Sequence, residues 1–201
     1  MKVGFFVQGS GIHWDLAKHL IASCKKLNLS VFQLTDDKTP ECEGVDGVVR
    51  LGGTVPMAIR RMTLQSMLAG EWLFVDTDVV LQKDPSQVFR SPFDIALTDR
   101  VGSLWEHSPG VKNMPFNTGV VFSRQPSFFK RVVGALKGLP PPLQEWYGDQ
   151  LVICEMQKQN QVSARILPGQ VYNFTPANRD DDRSHAAIIH YKGPRKAWIE
   201  D

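Results

Sequence analysis

Cysteine is scarce. The three present, Cys24, Cys42 and Cys154, stand far apart, and an odd, unclustered set supports neither a disulfide framework nor a zinc site. They read as reduced thiols of a cytoplasmic protein. Long apolar runs are also missing. No stretch approaches the roughly 18 apolar residues of a membrane span. The N-terminal MKVGFFVQGSG has too short an apolar run for a signal peptide and lacks a small-residue cleavage site, so it reads as a first strand. Nor is there an excess of one charge: 23 Lys and Arg oppose 21 Asp and Glu. That balance names no partner and does not argue for nucleic acid. No repeat, low-complexity tract or convincing linker interrupts the chain. What is there is an ordinary globular composition, 42% hydrophobic and 22% charged over 201 residues. Such a chain can bury one sizeable core, and it reads as a single domain over residues 1–201.

Apolar periodicity predicts a strand at 3–7, a helix at 14–27, a strand at 31–34 and a third strand at 45–51. A helix at 55–68 follows, with Pro56 in its first turn and Gly70 past its end. The run WLFVDTDVVL, residues 72–81, reads as a fourth strand. This alternation favours an α/β fold with a mainly parallel sheet. Further on, strands are predicted at 94–97 and 118–123 and helices at 128–136 and 149–157. Pro140, Pro141 and Pro142 form a stiff connection between those helices. The cluster Arg179 to Arg183 reads as a solvated loop.

Asp76 and Asp78 are unusual because the run that carries them is otherwise apolar. A strand of a parallel sheet is apolar throughout when both faces are covered, and ligands collect beyond the carboxyl ends of such strands. Two carboxylates at i and i+2 of an extended chain share a side, with Thr77 pointing away between them; a bend at that point is the alternative. Like charges repel and desolvation penalises both, difficulties that a divalent cation removes. Mg²⁺ or Mn²⁺ is commonly held by one or two carboxylates together with substrate phosphates. The bland alternative is a pair of turn-capping acids.

The C-terminal AAIIHYKGPRKAW repeats the pattern: apolar Ala186 to Ile189, then His190 at a strand edge, then Lys192, Gly193, Arg195 and Lys196. Gly193 permits close backbone approach, and the basic residues suit phosphate oxygens. Two other stretches stand out. Asn117 and Gly119 precede an apolar strand, and Asp149 with Gln150 opens a helix, where Asp149 is either an N-cap or a carboxylate offered to a polyhydroxylated ligand.

In this order, Asp76-Thr77-Asp78, Phe116-Asn117-Thr118-Gly119, Asp149-Gln150 and His190-x-x-Gly193-x-x-Lys196-x-Trp198 resemble the GT-A glycosyltransferases. The resemblance is closest to family 8, the glycogenin and lipopolysaccharide galactosyltransferase-like group. It spans nearly the whole chain and implies a GT-A nucleotide-diphospho-sugar transferase fold, a mixed, mainly parallel sheet flanked by helices. It implies Mn²⁺ or Mg²⁺ held by Asp76, Asp78 and His190, with Thr77 beside them. Gly193 and Lys196 would contact the diphosphate of a nucleotide-sugar, by family habit a UDP-sugar. Asn117, Asp149 and Gln150 would face the donor sugar and, with Lys196, form the catalytic set. An arginine in the helix before the acidic strand lies close to the donor in this family; Arg60 is the best match, with Arg61 next to it. The implied reaction retains anomeric configuration. The acceptor is open: a glycan, a lipid-linked or protein acceptor, or a modified base. The absence of a hydrophobic anchor implies a soluble enzyme.

Departures from the family pattern are specific. The chain is short for the family, which leaves acceptor-binding additions missing or supplied by another subunit. The first strand ends in Gln8-Gly9-Ser10-Gly11, where an acidic or hydroxyl residue is usual, so Asp36 is the substitute for a nucleoside contact. Ala197 replaces the usual proline before Trp198. Two other readings stay open: a nucleotide- or glycan-binding GT-A domain without turnover, and a haloacid-dehalogenase-type phosphatase, whose Asp-x-Asp normally opens the chain. A dinucleotide-binding fingerprint lacks its third glycine at Trp14.

Overall fold

The structure, a computed structural model, describes residues 1–100, 114–145 and 147–199. Nine strands and six α-helices are defined within them: β1 Lys2–Phe6, α1 Ile12–Lys26, β2 Ser30–Thr35, β3 Gly47–Arg50, α2 Met57–Ser66, β4 Trp72–Val75, β5 Val79–Leu81, β6 Ile95–Asp99, β7 Phe116–Ser123, α3 Pro126–Leu136, α4 Pro141–Glu145, α5 Gly148–Lys158, β8 Ala164–Leu167, α6 Gly169–Tyr172 and β9 Ile188–His190. A 3₁₀ turn, Gly193–Trp198, follows β9. Among the described residues no helix is long and apolar enough to cross a membrane.

Seven strands form one sheet in the order β3-β2-β1-β4-β7-β6-β8. The pairs β1–β2, β1–β4, β2–β3 and β6–β8 are parallel, while β7 pairs antiparallel with both β4 and β6. The carboxyl ends of β1, β2, β4 and β6 and the amino end of β7 therefore meet along one edge.

Residue alternation explains the layers. In β4, Leu73 and Val75 belong to the cluster packed with α1, whereas Trp72 and Phe74 point into the cluster with α2, α3 and α5. Both faces are covered, which is why the strand is apolar at every position. Phe74 stacks on Trp72 and meets Phe129 of α3 edge-on. Gly4 on the neighbouring β1 leaves the room this needs: a β-carbon there would stand 3.0 Å from the Phe74 ring. The helix α1 buries Leu16, Ala17, Leu20, Ile21 and Cys24, the i, i+4, i+8 face expected from its sequence.

Several expectations are corrected. Residues 72–81 are not one strand. The chain turns at Asp76 to Asp78, and β5 leaves the large sheet to pair with β9. Both halves are buried, so both are apolar, and local pattern does not reveal the turn. Of the three consecutive prolines, Pro141 starts a short helix, α4, rather than extending a connection; proline is favoured at a first helical position. Asp149 is not the N-cap of α5. Tyr147 holds that place with a left-handed φ of 69°. Gly148 follows because a β-carbon would meet the Leu143 carbonyl oxygen at 1.9 Å. β8 and α6 have no counterpart among the predicted elements. The three cysteines are buried thiols, and burial pushes Cys24 up to about 12 and Cys42 up to about 11.

Candidate metal centre and its surroundings

The turn after β4 and the end of β9 are joined by backbone pairing. β5 and β9 run antiparallel with Val79 opposite His190, and Tyr191 N–H donates to the Asp78 carbonyl over 2.8 Å. This register places an imidazole from the end of the chain against two carboxylates from its middle. One ligand atom from each of Asp76, Asp78 and His190 lies within 4.8 Å of the other two. His190 Nε2 is 3.1 Å from Asp78 Oδ1 and 3.6 Å from Asp76 Oδ2. The acids converge through the turn, not through two-residue alternation on an extended strand. Asp76 is tied to the neighbouring strand, its N–H donating to the Gly119 carbonyl over 2.9 Å.

A chain of amides orients the imidazole. Gly119 N–H donates to Asn117 Oδ1 (3.0 Å), which identifies that oxygen as an acceptor. Asn173 Nδ2 donates to the same oxygen (2.9 Å) and to Thr98 Oγ1 (2.7 Å). Asn173 Oδ1 is then the atom facing His190 Nδ1, at 2.9 Å, so Nδ1 carries the proton. Nε2 faces the two carboxylates, to which it offers an N–H when the ring is protonated and would offer its lone pair to a cation when it is not. Metal-ligating histidines are commonly held this way, one ring nitrogen donating to a neighbouring carbonyl while the other faces the ion.

Cations surround the acids. Lys196 Nζ lies 3.3 Å from Asp78 Oδ2. Arg61 Nη2 is 2.9 Å from Asp76 Oδ1 and Arg61 Nη1 is 3.7 Å from Asp149 Oδ2. Burial acts to raise the Asp78 carboxyl, but His190 and Lys196 outweigh it and hold it well below the usual carboxylate range. Asp149 goes the other way: burial raises it, and Arg61 offsets only part of this. Burial, then Lys196, lowers the His13 imidazole; His13 Nδ1 sits 3.1 Å from the Thr77 hydroxyl.

The donor set fits a divalent cation: two carboxylates and one imidazole whose Nε2 points inward while Nδ1 is held by Asn173. Gly119 keeps the space clear, since a β-carbon on it would stand 2.3 Å from His190 Cε1 and 2.5 Å from Asp76 Oδ2.

The other predicted residues fall around this cluster in different ways. Asn117 and Gln150 touch, Nδ2 to Oε1 at 3.3 Å, and both they and Asp149 border the cluster. Gly193 has a φ of 62° at the start of the 3₁₀ turn that carries Lys196. Of the paired arginines, Arg61 is the one that reaches the acids. Arg60 is buried and turns to Gln8 Oε1 (2.7 Å), the Gly53 carbonyl and Asp36 Oδ2 (3.8 Å). Asp36 Oδ1 is occupied by the N–H groups of Lys38 and Thr39, at 3.0 and 2.7 Å. Asn173, Thr98 and His13 carry no predicted role. Asn173 directly follows the four-residue α6, and no periodicity or motif marks it.

No family model and no curated protein matches the chain in sequence. Solved structures do resemble it. The galactosyltransferase LgtC, in complex with donor and acceptor sugar analogs, superposes with a TM-score of 0.61 at 14% identity over 96% of this chain and 88% of that one. The glycosyltransferase GlyE of Streptococcus pneumoniae gives 0.67 at 17% identity over 99% of this chain. The chain spans 59% of GlyE's length. A glycosyltransferase involved in glycosylation of the major capsid of PBCV-1 gives 0.64 at 14% identity, covering 100% of this chain and 99% of that one. The fold is thus the GT-A fold of these glycosyltransferases, with the mixed, mainly parallel sheet that the sequence resemblance implied.

Proposed function

We propose that this chain is a single-domain, metal-dependent glycosyltransferase that moves a sugar from a nucleotide-diphosphate sugar, by family habit a UDP-sugar, to an acceptor hydroxyl. One observation carries the reading: Asp76, Asp78 and His190 present ligand atoms within 4.8 Å of one another at the sheet edge. The shared fold supports it, and LgtC was solved with donor and acceptor sugar analogs. Asp76, Asp78 and the Nε2 of His190 would hold Mn²⁺ or Mg²⁺; imidazole suits Mn²⁺ better. The bound ion would supply charge neutralisation as the diphosphate departs.

In transfer, the bond from the anomeric carbon to the diphosphate oxygen breaks and a bond to the acceptor oxygen forms. The acceptor proton passes to the departing phosphate oxygen on the same face, giving retention without a dedicated protein base. Lys196 stabilises the negative charge that develops on the diphosphate, an interaction stronger in the transition state than in the ground state. Gly193, with its positive φ, lets the backbone approach the phosphates. Asn117, Gln150 and the buried Asp149 orient the donor sugar through its hydroxyls, and Arg61 holds Asp76 and Asp149 in register.

Thermal unfolding with UDP, with and without Mn²⁺, followed by UDP release from a donor panel, tests this. Stabilisation that needs both ligands, with sugar-dependent UDP release, is expected. Stabilisation with no release from any donor would indicate a binding module instead, and phosphate release from a simple phosphate ester would indicate a phosphatase.

A further inference from the structure

His13 stands beside the acidic turn and has no part in the transfer described above. It sits in the first turn of α1, which begins at Ile12 after Gly11. That end of the helix faces the 3₁₀ turn across a recess of about 340 Å³, with Ile12 and Leu16 on one side and Lys196 and Ala197 on the other. A hydrogen bond between His13 Nδ1 and Thr77 Oγ1, 3.1 Å long, joins the imidazole to the acidic turn across 64 residues of sequence. Lys196, Asp78 and Asp76 all lie near enough to act on the ring, Lys196 most strongly. His13 therefore shares with Lys196 the space around the two carboxylates.

The Thr77 bond fixes which ring nitrogen carries the proton. Thr77 is buried, and among the described residues His13 Nδ1 is the one partner of its hydroxyl. A buried hydroxyl that only accepted would leave its own proton without a partner, the costlier arrangement. Thr77 O–H therefore donates to Nδ1, and the proton of the neutral ring stands on Nε2. His13 is exposed, and among the described residues its Nε2 has no partner. It also lies outside the group of ligand atoms at Asp76, Asp78 and His190. The two histidines near the acids thus offer opposite things. His190 is held to give a lone pair, and His13 is held to give an N–H.

We propose that His13 is a further donor-binding residue, its Nε2–H donating to a non-bridging oxygen of the diphosphate alongside Lys196, with Thr77 fixing the tautomer. This rests on the transferase reading above. Charge balance favours it. Two carboxylates cancel the charge of a divalent ion, and Arg61 is taken up by Asp76 and Asp149. A diphosphate held there still needs donors beyond Lys196, and the need grows as negative charge develops on the departing group. The ring keeps its proton throughout and transfers nothing. Its N–H strengthens as an interaction when the sugar leaves, which is differential stabilisation of the transition state.

The test is calorimetric titration of UDP and of pyrophosphate, each in Mn²⁺, into wild type, His13→Asn and His13→Gln. Asparagine keeps an oxygen where Nδ1 accepts from Thr77 but lacks the distal N–H. Glutamine carries its amide N–H groups further out, near the place of Nε2. Both ligands are expected to bind His13→Asn about 10-fold more weakly, the scale of a hydrogen bond to a charged group, and His13→Gln should recover most of the loss. Mn²⁺ affinity without either ligand should be unchanged in both variants. Nitrogen NMR of the metal-free wild type at pH ~8, where imidazole is neutral, should show the Nε2–H ring. Undiminished binding of both ligands by His13→Asn overturns the proposal, as does an Nδ1–H ring. A loss confined to UDP also overturns it, because His13 would then serve the nucleoside. So does a parallel loss of Mn²⁺ affinity, because His13 would then only support the acidic turn. If neither ligand binds the wild type, this proposal and the transferase reading both fall. If pyrophosphate alone binds, the transferase reading falls and the pyrophosphate titrations decide the role of His13 by themselves.

Discussion

Gly119 lies so close beneath His190 that a β-carbon on it would stand 2.3 Å from the imidazole Cε1. The same atom would be 2.5 Å from Asp76 Oδ2 and 2.8 Å from Asn117 Oδ1. Two side chains of the candidate metal centre, and Asn117 beside it, thus crowd onto one backbone position. In Gly119→Ala, the side chains have to swing away while the strand stays paired. The expected outcome is a folded protein whose Mn²⁺ affinity falls at least ~10-fold, the scale of losses when a metal ligand is misoriented. Mn²⁺ titration followed by circular dichroism checks both halves.

Asn173 fixes which ring nitrogen of His190 carries the proton. Asn173→Ala removes the acceptor and frees the tautomer. Mn²⁺ affinity is expected to drop ~10- to 100-fold, read as the Mn²⁺ concentration for half-maximal stabilisation by UDP. An unchanged midpoint would remove Asn173 from a positioning role.

Asp78→Asn should end Mn²⁺-dependent UDP stabilisation and lower transfer at least ~100-fold. It also has a pH signature in metal-free protein. The Asp78 carboxyl is held below its ordinary value when folded. Its stabilising contribution is therefore fully present above the ordinary carboxylate range near pH ~4 and is lost as pH falls through the folded value. The stability difference between wild type and Asp78→Asn should narrow below pH ~4, measured by urea unfolding in EDTA.

Arg61 bridges Asp76 and Asp149, and burial of the guanidinium is outweighed by those two acids, which raise its affinity for the proton. Arg61→Gln leaves both carboxylates without their cation. Transfer is expected to fall ~100-fold, and the loss should exceed that of Arg61→Lys, which keeps the charge but not the fork. Equal activity of the two variants would show that planar geometry is irrelevant here.

Lys192 has a folded value pushed down to about 8 from an ordinary 10.5, first by burial and then by Arg100. Between those pH values the unfolded chain binds the extra proton, so stability rises with pH across the window. Lys192→Met should remove this rise, a difference of about 1–3 kcal/mol after allowance for partial solvent contact. Urea midpoints of the two proteins at pH 7.5 and 10.5 test it.

The elements of the first half were legible because each apolar run matches one period: the i, i+4 face of α1, and the unbroken run of β4 covered on both sides. The second half was harder for physical reasons. β8, ARIL, is only partly buried, and α6 has four residues; neither is long enough to show a period. The choice between Arg60 and Arg61 turns on one residue step around α2, about 100° of rotation. Both sides of that helix touch protein at this point, so polarity does not discriminate between them. Asn173 acts through hydrogen bonds to three other segments, a role with no local pattern.

By itself the sequence determined the chemistry on offer: two carboxylates at the end of a buried strand, an imidazole at the end of another, and basic residues after it. Local composition and periodicity suffice for that, because burial on both faces leaves its mark on each strand separately. Only the tertiary structure decided that these groups meet. The β5–β9 register sets Val79 against His190, and a one-residue slip would turn the imidazole to the other face. Backbone pairing between distant segments carries no side-chain signature, so the cluster of Asp76, Asp78 and His190 and the orientation of its histidine exist only once the chain has folded.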